Sequence, residues 1–208
     1  MTYIKSCHFL FDMPVEPGAR REARTVGRVI GILAIVAGAW MACEDLVPGS
    51  PKVVQSRDGL TQVVVPASWR EQTDLNEEAD IQVANLLREL YVIVLSESKQ
   101  DFDADTTLEE HSEATRSILL EELRDGRVSY APGPFRIGGY PAVQYQLRGS
   151  VDKIKIVYFH TTVEGPNSFH QIVGWTLLSR LTKNESVLQG VIRSLRVRGA
   201  TSSHAFAN

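Results

Sequence analysis

Three groups of residues in this chain have types and spacings that could do chemistry. Asp101-Phe-Asp-Ala-Asp105 has the alternating carboxylates that open a calcium loop, because such side chains can converge on one hard cation. Counted from Asp101, the sixth position is Thr106, where the turn needs glycine, and the twelfth is Ser112, where a bidentate glutamate belongs. The run therefore reads as a solvated acidic link into a helix N-terminus, where its charge suits the dipole. His160 and His170 flank the turn at Glu164-Gly-Pro-Asn167, and two imidazoles facing each other across that hairpin could share a metal. Glu164 is the only nearby carboxylate and two ligands do not make a site, so no metal is assigned. The pair reads as exposed or hydrogen-bonded, and His111 as a boundary residue at the edge of a helical stripe. HExxH, CxxC, phosphate-cradling glycine loops and a nucleophile elbow are absent from the sequence. Ser, His and Asp occur without triad spacing, so no catalytic residue and no cofactor are assigned.

The third group is Cys43 and what precedes it. Arg20, Arg21, Arg24 and Arg28 lead into Val29 to Ala42, an uncharged apolar run of 14 residues, and Cys43 follows directly. About 20 residues are needed to span a bilayer, so the run is short for that and has the length of a signal h-region. Ala42-Cys43 resembles the end of a bacterial lipoprotein lipobox, whose cysteine is acylated and becomes the new N-terminus. Trp40-Met41 departs from that box, which usually has a Leu-type residue and then a small one. The resemblance implies a signal peptide over residues 1–42, with 1–12 an over-extended start before Met13, and a palmitate-type acyl anchor on Cys43. Glu44 after the cysteine fits release to the periplasmic face of an outer membrane under the sorting rule of some bacteria.

These groups need elements to position them. Residues 43–52 include Pro48, Gly49, Ser50 and Pro51 and read as a lipidated tether. A hairpin is expected from Val53 to Ser56 and Leu60 to Val65 around Asp58-Gly59. Trp69 follows it, capping the core or lining a pocket. The apolar spacing of Ala79, Val83, Leu86, Leu87 and Leu90 predicts a helix over 79–90, with Asp74 and Asn76 as candidate caps. Tyr91 to Ser98 should be an interior strand. A second helix should run from Leu108 to Arg124, opened by the capping box Thr107-Leu-Glu-Glu110. Short strands are expected at 127–130 and 135–137, and Gly138-Gly139 leads into a meander of Tyr140 to Val151, Ile154 to Val163 and Ser168 to Leu178. Its middle strand is apolar on both faces, which predicts that helices cover both sides and that most of its rings are core. Thr182-Lys-Asn-Glu185 reads as another capping box before the stripe Val187, Leu188, Val191, Ile192 and Leu195. Residues 199–208 read as a disordered tail.

The chain's 208 residues carry a net charge of −3, and five Lys/Arg with three Asp/Glu in residues 1–42 leave −5 from Cys43 onward. A mildly acidic body gives no footprint for nucleic acid. The predicted class is α+β, a mostly antiparallel sheet flanked by helices on both faces. The run Asp58 to Trp69, DGLTQVVVPASW, with the segment GGYPAVQYQL from Gly138 to Leu147 and the final amphipathic helix, resembles the PsbP-like α-β-α sandwich. That fold is shared by photosystem II PsbP, the Ran-binding protein Mog and the DcrB-like envelope proteins. The resemblance covers residues 53–198 and implies a non-catalytic protein-binding or assembly module with an envelope partner. A small-ligand or metal-binding lipoprotein and, further off, a hydrolase are the other readings. Trp69, Gly138, Gly139, Glu164 and Asn167 are the expected ligand or partner contacts, and the expected place is the bacterial cell envelope.

Overall fold

The computed structural model describes residues 49–130 and 135–198. The expected signal peptide, Cys43 and the tail over 199–208 lie outside the described residues. Eleven strands and two α-helices are described: β1 Lys52–Gln55, β2 Thr61–Val65, β3 Arg70–Glu71, β4 Ile81–Asn85, β5 Leu90–Ser98, α1 Leu108–Glu121, β6 Arg124–Tyr130, β7 Phe135–Ile137, β8 Tyr140–Val151, β9 Ile154–Glu164, β10 Ser168–Leu177, α2 Leu181–Arg193 and β11 Arg196–Val197. The main sheet runs β3-β4-β5-β10-β9-β8-β6 with β7 also on β8, and β1-β2-β11 form a smaller one. All of the pairings are antiparallel, which makes the protein an α+β sandwich.

The meander is at the centre, as its density of β-branched and aromatic residues predicts. Along β9 the residues from Ile156 to Val163 are buried without interruption, because both faces of the sheet are covered. Leu119 and Leu123, from α1 and just beyond it, pack with Leu147, Ile156, Tyr158, Val173 and Trp175 on one face. Leu188, Val191 and Ile192 of α2, with Val54, Val63 and Val65 of the small sheet, pack with Val92, Phe159 and Ile172 on the other. Gly174 brings α2 close, since a Cβ there would stand 3.2 Å from Ile192 Cδ1 and 3.3 Å from Leu188 Cδ2.

Besides α1 ending at Glu121, three residues before the expected Arg124, two elements depart from the sequence reading. Residues 81–98 form a β-hairpin, with Ile81 opposite Val94 and Val83 opposite Val92, where a helix was expected over 79–90. Ile81 and Val83 alternate inward at strand spacing, and Leu86 and Leu87, counted in the helical stripe, point to solvent instead. Asn76, expected to cap that helix, accepts from the Glu78 N–H in a turn. The second difference is at α2, which starts at Leu181 straight out of a 3-10 turn over Leu178–Arg180 and has no side-chain cap. Thr182 is already inside the helix and cannot act as its N-cap. At α1 the expected box forms completely, Thr107 Oγ1 accepting from Glu110 N while Glu110 accepts from Thr107 N.

Candidate functional site

The sheet has two ends, and the residues singled out by sequence divide between them. The chain enters at one end, where Gly49 packs on the Ala67 methyl and Lys52 Nζ donates to the Trp69 carbonyl. Asn85 Nδ2 donates to Ser68 Oγ at 3.1 Å, so the β4–β5 turn belongs to this proximal end. Trp69 itself is only 1% exposed and belongs to the core.

The other four expected contacts come together at the far end. Gly138 and Gly139 form the β7–β8 turn with φ of +60° and +91°, the left-handed pair that a two-residue hairpin requires. Because β8 pairs with β9 from Ala142 opposite Val163, that turn lies beside the β9–β10 turn carrying Glu164 and Asn167. Glu164 accepts from Lys99 Nζ at 2.8 Å, and the Asn167 carbonyl accepts from Lys99 N at 2.9 Å. One lysine thus clamps the end of β5 to the turn, with its ammonium 5.1 Å from the Phe169 ring centroid.

His160 and His170 do not converge. Phe169 pairs with Glu164, so His160 stands opposite Val173 and His170 opposite Val163, which puts the two imidazoles on opposite faces of the sheet. They cannot share an ion, and no group of three or more metal-ligating side chains occurs among the described residues. His170 Nδ1 is 2.9 Å from Ser96 Oγ on the α2 face, and the Cβ position of Gly165 is 2.8 Å from its Nε2. Burial pushes His170 down to about 4, against a smaller upward pull from Asp58.

Beneath α1 lies a polar cluster that sequence reasoning missed. His111 is 2% exposed and therefore no boundary residue; its Nε2 is 3.0 Å from Glu97 Oε2. Gln171 Nε2 donates to the same carboxylate oxygen at 2.6 Å, and Gln171 Oε1 is 3.3 Å from His160 Nε2. Thr115 Oγ1 is 3.2 Å from that nitrogen. His111 stacks on Phe169 with centroids 4.3 Å apart, and Phe102 closes edge-on at 4.9 Å. His160 is pushed down to about 4, chiefly by burial, so it is neutral near pH 7. Contributions from β5, α1, β9 and β10 build this cluster, so no local spacing announces it. The helical period placing His111 beside Thr115, opposite a strand with His160, was the available signal.

The His111–Glu97 contact has the geometry of an oriented base, and Ser112 Oγ is buried nearby without a partner. Ser112 and Thr115 are at most 1% exposed, whereas the Glu97 side chain keeps 24% of its surface in solvent. What the cluster does is hold α1 on the sheet through paired polar groups.

At the proximal end the β4–β5 turn presents Leu86 and Leu87, 59% and 88% exposed. Their backbone is held firmly. Asn85 accepts from Arg88 N, Glu89 takes φ of +55°, and Arg180 both donates to the Leu87 carbonyl at 3.2 Å and pairs with Glu89 at 2.8 Å. Arg88 Nη2 reaches the Lys183 carbonyl and Asn184 Oδ1, while Asn184 Nδ2 returns a bond to the Arg88 carbonyl at 2.9 Å.

No protein-family model and no curated protein matches the chain. Among solved structures it is similar to LpqN of Mycobacterium tuberculosis, described as involved in cell envelope biogenesis, with a TM-score of 0.55 at 14% identity over 72% of this chain and 91% of that one. It is also similar to the cyanobacterial PsbP, CyanoP, of Synechocystis sp. PCC 6803, with a TM-score of 0.49 at 12% identity over 76% of this chain and 98% of that one. The first likeness shows a shared fold: this chain carries the mostly antiparallel α+β architecture of LpqN.

Proposed function

We propose that the protein is an envelope lipoprotein, anchored by an acyl group on Cys43, whose PsbP-like domain is a non-catalytic module that binds a protein partner at its distal end. The observation that carries this reading is the grouping of Gly138, Gly139, Glu164 and Asn167 at the sheet end opposite the one where the chain from Cys43 enters. A domain tethered at one end leaves the other free to meet a partner. Turns fixed by a left-handed glycine pair and a lysine clamp are pre-organised, which lowers the ordering cost of association. The involvement of LpqN in envelope biogenesis, and the signal-like run before Cys43, support the envelope as the place.

Photocrosslinking from the two ends of the full-length chain in its native envelope tests the reading. A photoactivatable residue at Asn167 or Gly139 should give a discrete protein adduct that Lys99→Ala weakens. The reading is contradicted if those positions give no adduct while positions on the α1 or α2 surface do.

A further inference from the structure

We propose that the Leu86-Leu87 turn is a membrane-contacting tip that seats the proximal end of the domain on the anionic bilayer holding its anchor. The inference rests on the reading of Cys43 as the acylated residue and adds the orientation of the domain to it.

Two bulky apolar side chains at the apex of a turn are out of place in water unless something covers them. Here they cannot fold inward, because the turn is fixed by Asn85, Arg180 and Asn184 in the conformation that displays them. The position of the turn identifies what covers it. Gly49 packs on Ala67, the next residue, Ser68, is bonded to Asn85, and Leu86 follows. From Cys43 to Gly49 is six residues, which reach roughly 20 Å at full extension. An acyl group on Cys43 therefore keeps this end of the domain within a short distance of the lipid, and the leucines are on that end.

Charge agrees with the geometry. The body is acidic overall, yet Lys52, Arg70 and Arg88 are at this end and Lys183 is in the first turn of α2 beside Arg88, against Glu71 at the same end and Glu44 and Asp45 in the tether sequence. None of the four is in ion-pair contact with a carboxylate among the described residues, and Glu89 is already matched by Arg180. Cations at the same end as an apolar tip suit anionic headgroups over hydrocarbon, with the leucines at the acyl boundary and the ammonium and guanidinium groups at the phosphates. Acyl chains alone supply the retention. The tip supplies a fixed orientation that turns the β7–β8 and β9–β10 turns away from the membrane.

The same domain contains its own control. Leu60 is 47% exposed in the β1–β2 turn, at the opposite end of the hairpin from Lys52, where its carbonyl accepts from Arg198 N. The full chain, purified from the envelope as Leu87→Cys or Leu60→Cys, is labelled with an environment-sensitive fluorophore and reconstituted into phosphatidylcholine–phosphatidylglycerol vesicles with acyl-chain nitroxide lipid. The unsubstituted chain, labelled identically, sets the background from any other free thiol. The label at 87 should shift to the blue and lose about half its emission to the nitroxide, while the label at 60 does neither. Mass measurement of the N-terminal peptide reports acylation independently. An acylated chain whose two labels are equally unquenched overturns the tip and keeps the anchor. Quenching at 87 in an unacylated chain keeps the tip and overturns the anchor. A blue shift at 87 that the nitroxide does not quench means burial against protein, and this also overturns the tip.

Discussion

The two faces of the central sheet are covered by helices of similar length that are held in different ways. Under α2 the contact is mostly hydrocarbon, with Leu188, Val191 and Ile192 set down close over Gly174 and against Val92 and Ile172. Under the middle turns of α1 it is polar, with His111, Ser112 and Thr115 facing Glu97, His160 and Gln171, between the apolar contacts of Leu108 with Val143 and Phe169 and those of Leu119 farther along the helix. Hydrophobic packing is strong but tolerant of small shifts, whereas bonds to a buried carboxylate and imidazole fix one register. The difference teaches that α2 supplies stability, while α1 is held in one position beside the distal turns, where Phe169, Phe102 and His111 stack.

If that contrast is right, the largest loss of stability should come from α2. Leu188→Ala removes a fully buried side chain and should cost about 2–5 kcal/mol in denaturant unfolding. A cost below that range would mean that the α2 face is not the main apolar contact. Acid comes next and should act on both faces. The ordinary pKa of histidine, 6.5, applies in the unfolded chain, and both His160 and His170 are lowered to about 4 when folded, so the unfolded state takes up protons first. Stability present above pH 6.5 should fall away as the pH drops toward 4, by an amount on the order of 2–3 kcal/mol for each histidine. His160→Gln, followed by chemical denaturation across that range, should remove its share of the slope, and an unchanged slope would show that the imidazole is not buried neutral.

Smaller effects sharpen the contrast further. Thr107→Ala breaks the capping box of α1 and should cost about 1 kcal/mol, with the loss of hydrogen-exchange protection concentrated at Glu109 to Ser112. The double substitution Leu86→Ser and Leu87→Ser, at the exposed proximal turn, should leave the unfolding midpoint almost unchanged, within about 0.5 kcal/mol. A large destabilisation there would show that those leucines are packed, and would remove the case for a displayed tip.

The meander and α1 were legible because their signals are local. A run of β-branched residues on both faces of β9 requires a two-sided sheet, and Thr107 with Glu110 defines a helix start by itself. The β4–β5 hairpin was hidden by Leu86 and Leu87, which complete a helical period only if they are assumed to be buried. The histidines misled for a reason of register. Whether residues 160 and 170 share a face depends on which residue pairs across the turn, and Phe169 opposite Glu164 puts them on opposite faces. The polar cluster under α1 depends on four elements coming together, and its one local spacing, His111 and Thr115 a helical turn apart, does not say which strand residues they meet.

Intact-mass analysis of the mature protein extracted from the envelope tests the central claim most directly. The account predicts a chain that begins at Cys43 with acyl groups on it, and a Cys43→Ala variant that is either released in soluble form or retained unprocessed. A mature chain that begins elsewhere, or one whose Cys43 thiol is free, would contradict it.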